Sequence, residues 1–261
     1  MNTGALRPRW RLNKAIARAG LSSRREADRL IADGRVRLNG HIVREVGISV
    51  DLDADVIEVG GQRVQVPGAA GREVWALYKP KRCVATLHDP QGRSSLADFL
   101  PRNAGRLFPV GRLDYDTEGL ILLTNDGDLA HCVAHPSFGI DKVYLVKVRG
   151  RMRQEILHRL AEGPWLEGRH RQRVSARILH AFDDKTWLEV TLREGIQHHI
   201  KKMFAKLGLR VLKIKRYQVG SVALGELQPG ESRKLGQGEI DALLNRTRRP
   251  NRRGRPHPAG S

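Results

Sequence analysis

Cysteine is nearly absent from this 261-residue chain, with Cys83 and Cys132 the only two. That excludes a disulfide framework, and the distance between the pair excludes a Cys-x-x-Cys metal knuckle. Aromatic residues are only 5% of the total, and 28 acids stand against 47 lysines and arginines. No run approaches the roughly 18 consecutive apolar residues of a membrane span. Arginines near the N-terminus have no apolar signal segment behind them, so a cytoplasmic protein is expected. A Gly-x-Ser-x-Gly elbow, a persuasive Cys and His pairing and a Gly-x-x-x-x-Gly-Lys phosphate loop are all missing, which leaves serine, cysteine and nucleotide hydrolysis without support.

What the chain has in quantity is positive charge. A formal net charge of +19 favours a polyanionic partner, nucleic acid ahead of an anionic membrane surface. With 40% hydrophobic residues the chain can bury the core of one large domain, or of a large domain and a small one.

Helical spacing of Leu12, Ile16 and Ala19 predicts a first helix stopped at Gly20. A second starts with Ser23 and Glu26 as a capping box, buries Ala27, Leu30 and Ile31, and ends at Gly34. A hairpin follows, Val36 to Leu38 and His41 to Val43 around the turn pair Asn39-Gly40. Residues 1–44 hold eleven basic and three acidic side chains, a net charge of +8. Lys14, Arg18, Arg24, Arg25 and Arg29 fall on or between the two helices, either as a basic face for RNA phosphates or as a solvated helix surface. The stretch RLNKAIARAGLSSRREADRLIADGRVRLNG resembles the S4 RNA-binding domain, and that resemblance implies structured RNA as a partner.

VPGAAGR at 66–72 is small and turn-rich and reads as a linker. Beyond it Val74 to Tyr78, Leu120 to Leu123, Lys142 to Val148, Thr186 to Leu192 and Val211 to Ile214 read as strands. Met152 to Leu160 and Glu239 to Leu244 read as helices. Ile200, Met203, Phe204 and Leu207 repeat at i, i+3, i+4 and i+7 and mark the clearest helix. From Asn245 onward the chain has six arginines, no acid and no apolar period, a disordered basic tail.

Chemistry concentrates in VGRLDYDTEGLILLTNDGDLA, residues 110–130. Asp114 sits beside Arg112, ahead of an apolar run, and a carboxylate kept ionised by a nearby cation is a competent nucleophile at a sugar or ring carbon. An Asp in such a setting also commonly stabilises a turn, and spacing does not decide between the two. Asp116, Asp126 and Asp128 read as turn and cap residues. His131, Cys132 and His135 lie as close as zinc ligands do but lack a fourth partner, so packing is the expected role and no metal is assigned.

GRLDYDTEGLILLTNDGDLA closely resembles the signature of the RsuA/RluB group of ribosomal RNA pseudouridine synthases. The resemblance continues through YKPKRCVATLHDPQGR, KVYLVKVRG, EGIQHHIKKMF and VLKIKRYQVG. It implies that Asp114 is the catalytic residue and attacks a uridine at C1′ or C6. Tyr144 would then stack on the flipped base, Lys201 would pair with Asp114, Arg112 would help open the RNA or else make a simple phosphate contact, and Ile214 would keep an apolar wall in place of the usual leucine. Lys202 and Arg216 would add RNA contacts. Two further departures stand out. Ile196 replaces a basic residue, and His199 replaces an amide beside Lys201, where an imidazole would make activity sensitive to pH near neutrality.

The expected fold is α+β. A small S4 domain of two helices plus strands occupies 6–65, a linker 66–72, a mixed α/β synthase domain with a mostly antiparallel central sheet 73–244, and the tail 245–261. The expected activity is uridine-to-pseudouridine isomerisation in ribosomal RNA, of the large subunit before the small, by a monomer without a cofactor. A non-catalytic RNA-binding or ribosome-assembly factor is the alternative. The expected partner is ribosomal RNA, as a stem-loop or an assembling subunit, and not a membrane.

Overall fold

The computed structural model describes residues 9–66, 71–102, 104–164, 174–194 and 198–248, without the side chains of 246–248. Part of the linker, Ile196 and the stretch from Arg249 onward lie outside the described residues. The chain divides into two compact units between Arg72 and Glu73. Among the described residues no helix is long and apolar enough to cross a membrane.

In the first unit the elements are β1 (Trp10–Arg11), α1 (Leu12–Arg18), α2 (Arg24–Ala32), β2 (Val36–Leu38), β3 (His41–Val43), β4 (Ser49–Val50), β5 (Ile57–Val59) and β6 (Gln62–Arg63). The helices close over their apolar stripes, with Leu12, Ala15 and Ile16 of α1 meeting Ala27 and Ile31 of α2 above Val36 and Ile57. The antiparallel order β3-β2-β5-β6 is anchored by the Asn39-Gly40 turn, where both residues have positive φ, 51° and 80°, as a tight two-residue hairpin requires. Ser23 Oγ accepts from Glu26 N at 3.1 Å. Glu26 turns its carboxylate toward Arg29, 3.5 Å away, so only half of the expected capping box forms. The box that closes in both directions belongs to Ser95 and Asp98, around a 3₁₀ turn at Leu96–Phe99.

The second unit is built on a nine-stranded sheet. Its elements are β7 (Val74–Lys79), β8 (Phe108–Pro109), β9 (Glu118–Thr124), α3 (Gly127–Ala134), β10 (Lys142–Arg149), α4 (Gln154–Glu162), β11 (Ser175–Ala181), β12 (Lys185–Leu192), α5 (His199–Lys206), β13 (Val211–Val219), β14 (Val222–Ala223), β15 (Ser232–Lys234) and α6 (Gln237–Arg248). The order is β11-β12-β10-β13-β9-β7-β15, with β14 on β13 and β8 on β9. Only β9 and β13 run parallel among the paired strands described.

Cores on both faces explain why β9 is buried end to end. Leu120 and Leu122 face one core, with Leu129 and Val133 of α3 and Ile240 and Leu243 of α6. Ile121 and Leu123 face the other, with Tyr144, Val146, Leu188, Val190 and Ile214 of the sheet and Ile200, Met203 and Phe204 of α5. A strand covered on both sides reads as a continuous apolar run rather than an alternation.

Three of the differences from the sequence reading have a clear physical reason. β11 was not anticipated, because its residues are mostly half-buried or exposed and carry no clean alternation. The strand that begins at Val211 continues to Val219, its lysines accommodated on the partly exposed face. The closing helix reaches Arg248, four residues into the stretch read as tail, because polar residues continue a helix whose apolar anchors, Ile240 and Leu243, lie upstream.

Gly119 is where β7, β9 and β13 meet. Its φ is +114°, and a Cβ there would overlap the backbone carbonyl of Arg216. Gly119→Ala therefore combines backbone strain with a main-chain clash and is expected to destabilise the second unit by more than about 2 kcal/mol. Denaturant titration of the full chain checks this, and an unchanged midpoint would mean that the strands can separate at little cost.

Candidate active site

The loop that joins β8 to β9 carries Asp114, itself half-buried. Leu113 and Thr117 point inward while Arg112, Tyr115 and Asp116 are exposed. Thr117 N donates to Asp114 O at 3.1 Å, closing a turn, so Asp114 does take the turn position that its sequence context suggested. A second support comes from Lys79, which is fully buried at the end of β7. Its Nζ donates to the carbonyls of Cys83 at 2.7 Å and Pro80 at 2.9 Å and lies 3.5 Å from that of Tyr115. Arg82 N donates to the same Tyr115 carbonyl at 2.8 Å. Burial lowers the pKa of Lys79, opposed by the neighbouring negative groups that include Asp116 and Asp114. A buried ammonium persists only when such acceptors replace water.

Above this loop lies a cavity of about 950 Å³. Asp114, Arg112, Tyr144, Lys201, Ile214 and Arg216, scattered over a hundred positions of sequence, all line it. Tyr144 comes from β10, Ile214 and Arg216 from β13, and Lys201 from the first turn of α5. Tyr144 and Ile214 are 8% and 6% exposed, so each offers the cavity an apolar wall.

The charge pairing differs from what the family resemblance implied. Lys201 Nζ lies 2.6 and 2.7 Å from the two carboxylate oxygens of Asp116, not on Asp114. That contact holds the Asp116 carboxyl below the usual carboxylate range. Asp114 Oδ2 instead lies 2.9 Å from Nδ1 of His198. His199, the residue singled out in the sequence, is buried in the first turn of α5 and also lines the cavity, but the ring that reaches Asp114 belongs to its neighbour.

Arg216 needs a second correction. It is only 5% exposed, and its Nε donates to the carbonyl of Leu120 at 2.7 Å, so it braces β9 and faces the cavity rather than an outer RNA surface. Lys202 is exposed and does not line the cavity. In the first unit Arg24, Arg25 and Arg29 are exposed on or at the start of α2. Lys14 and Arg18 lie over the ring of Trp10, 4.3 and 5.2 Å from its centroid. The rings of His131 and His135 lie tilted at 46° with centroids 4.9 Å apart, and His135 Nδ1 is 2.8 Å from Ser137 Oγ. Among the described residues no group of three or more such side chains is arranged to hold a metal ion.

Two cations of the cavity had escaped the sequence reading. Arg93, held by a bidentate pair with Asp89, comes from a loop that showed no chemical signal. Lys142 sits two residues before Tyr144 on β10, and strand periodicity was the available clue. It is 6% exposed and donates to the carbonyl of Arg193 at 3.1 Å. Burial, reinforced by Arg216, pushes its pKa down from 10.5 to about 8.

A cavity that joins an aromatic wall, one carboxylate held by an imidazole and a surround of cations is suited to an anionic polymer and to one nucleophilic attack. The RNA pseudouridylate synthase family matches residues 73–206, and the S4 domain matches residues 10–56. The chain belongs to the RNA pseudouridylate synthase family. An RNA pseudouridine synthase of Aquifex aeolicus is 39% identical over 236 residues, covering 90% of this chain and 93% of that protein. The ribosomal large subunit pseudouridine synthase B of Bacillus subtilis is 38% identical over 235 residues, covering 89% and 95%. A crystal structure of a pseudouridylate synthase superposes with a TM-score of 0.62 at 33% identity, over 89% of this chain and 99% of that one. The S4 unit and the synthase unit on a mostly antiparallel sheet thus agree with the expected fold, and RNA is the enzyme's substrate.

Lys142 supplies a pH test. Its native pKa lies below its unfolded value, so between about 8 and 10.5 the unfolded chain binds more protons, and stability rises with pH across that window. Below it the buried charge costs the native state on the order of 3 kcal/mol. Lys142→Met lacks this cost. Its stability relative to wild type, measured by denaturation, should be most favourable at neutral pH and fall by that amount toward pH 10.5. A difference that stays constant with pH would show that the amine is solvated.

Proposed function

We propose that this enzyme converts specific uridines of ribosomal RNA to pseudouridine, in the large subunit rather than the small, with Asp114 as nucleophile on a uridine flipped out of its stack. The observation that carries the reading is the meeting of Asp114, Tyr144 and Ile214 in one cavity of a pseudouridylate synthase domain. The choice of subunit is supported by the name of the Bacillus subtilis relative. The chain would act as a monomer, on a stem-loop or an assembling subunit.

Flipping costs a few kcal/mol of lost stacking. A base lying against Tyr144 recovers about 1 to 3 kcal/mol, and the cations Arg93 and Arg112 attract the flanking phosphates. In the C1′ route an oxygen of Asp114 bonds to C1′ as the bond to N1 breaks, and the uracil leaves with the electron pair. The base turns, C5 bonds to C1′ and expels the carboxylate, C5 loses its proton and N1 gains one. In the C6 route Asp114 adds to the ring first and is eliminated after the same rotation. Either way no electron is gained or lost and the product is an isomer, so the chemistry requires no redox group.

The deciding experiment maps pseudouridine in ribosomal RNA from cells carrying wild type, a deletion, or Asp114→Ala. A large-subunit site absent from the last two and restored by wild type is expected. An unchanged map would favour a binding or assembly factor, and a missing small-subunit site would reverse the choice of subunit. Phosphate contacts also predict that RNA affinity falls log-linearly with salt, by roughly 0.7 to 0.9 log units of affinity per log unit of salt for each phosphate neutralised. Deleting residues 249–261, which spares α6, should flatten that slope. An unchanged slope would exclude the terminal arginines from RNA binding.

A further inference from the structure

Catalysis by a carboxylate needs more than ionisation, because the attacking oxygen must be held against the target within a narrow range of angle and distance. In this protein the group that touches Asp114 is an imidazole. His198 Nδ1 lies 2.9 Å from Asp114 Oδ2 across 84 residues of sequence. The lysine one turn further along α5 is engaged on Asp116, by both of that carboxylate's oxygens.

The backbone is shaped for this contact. His198 is the residue before α5 and adopts the left-handed conformation, φ 55° and ψ 24°, one of three non-glycine residues among those described with positive φ. Such a conformation carries a cost for an L-residue and persists where surrounding structure imposes it. Its carbonyl accepts the helical bond from Lys202 N at 2.9 Å, so the ring is tied to the start of α5. Ile200, Met203 and Phe204 in turn fix that helix to the core beneath the cavity. The Asp114 loop is held separately, by Thr117 N on the Asp114 carbonyl and Arg82 N on that of Tyr115.

We infer that His198 is the positioning residue of Asp114: its Nδ1–H engages Oδ2 and aims the other carboxylate oxygen at the uridine, while Lys201 acts on Asp116. The inference rests on the reading of Asp114 as nucleophile. It assigns the orienting role to a position from which the family resemblance drew no function, and it gives the two cations at the start of α5 separate carboxylates. Since His198 acts through Asp114, its loss should appear in the chemical step and not in RNA binding.

Two substitutions separate the side chain from the backbone. His198→Gly keeps the left-handed conformation at no steric cost and removes the ring. His198→Asn tolerates the same conformation and places an amide N–H close to where Nδ1 stands. Full-length protein, unmodified ribosomal RNA transcribed in vitro and single-turnover kinetics give the rate of pseudouridine formation and the RNA concentration for half-maximal rate. His198→Gly is expected to slow the maximal rate about 10- to 100-fold, the range for losing a hydrogen bond to a charged group, with the half-saturating RNA concentration within about twofold of wild type. His198→Asn should recover most of that loss. Wild-type rates in His198→Gly, equal losses in both variants, or a change confined to RNA affinity would each overturn the assignment. Asp114→Ala in the same assay keeps the two readings apart. If it is inactive while His198→Gly is normal, only the role of His198 falls, whereas an active Asp114→Ala removes the nucleophile and this inference together.

Discussion

The close approach of β9 and β13 at Gly119 is the constraint on which the catalytic unit depends. One row of paired residues crosses the sheet there, running Val190, Tyr144, Arg216, Gly119 and Lys79. Without a side chain at Gly119 the backbone of Arg216 can lie against it, and Arg216 then bonds to the carbonyl of Leu120. This parallel contact brings a strand near the C-terminal end of the unit beside the strand that follows the Asp114 loop. Tyr144, two strands from Gly119 in that row, is carried to the same cavity. The buried ammonium of Lys79 ends the row and binds carbonyls at the base of the loop.

Once that row is in place, the electrostatics of the cavity follow from position. Cations come from five separate segments of chain: Arg93 and Arg112 from two loops, Lys142 and Arg216 from adjacent strands, and Lys201 from a helix. They surround two carboxylates four and two residues ahead of β9, each of which has a different partner on the start of α5. Lys142 and Arg216 are kept there at the cost of desolvation, which lowers the pKa of the lysine. Positive potential focused by low-dielectric walls favours an RNA backbone at the mouth of the cavity.

Much of the local structure was legible. The turn pair Asn39-Gly40, the period of α5 and the unbroken apolar run of β9 each correspond to an element of the structure, because each records a local requirement of turn geometry, one buried helix face or a strand covered twice. The long motif around Asp114 marked the loop that leads to the cavity. β11 was not legible, since an edge strand whose residues are half exposed leaves no periodic trace. The charge pairing was not legible either. Lys201 and His198 are three residues apart, and which of them meets Asp114 depends on the left-handed turn at His198 and on where α5 packs.

The sequence by itself determined that this is a basic, two-part chain with a turn-rich linker and one conspicuous acidic loop, because composition, turn residues and apolar periodicity are properties of neighbouring positions, and its motifs carried the resemblance to an S4 unit and a synthase unit. Tertiary structure alone decided that Arg216 is a buried brace, that Lys142 and Arg93 join the cavity, and that an imidazole rather than an ammonium holds Asp114. Those outcomes depend on distances between residues tens of positions apart, set by the sheet order and by the missing side chain at Gly119.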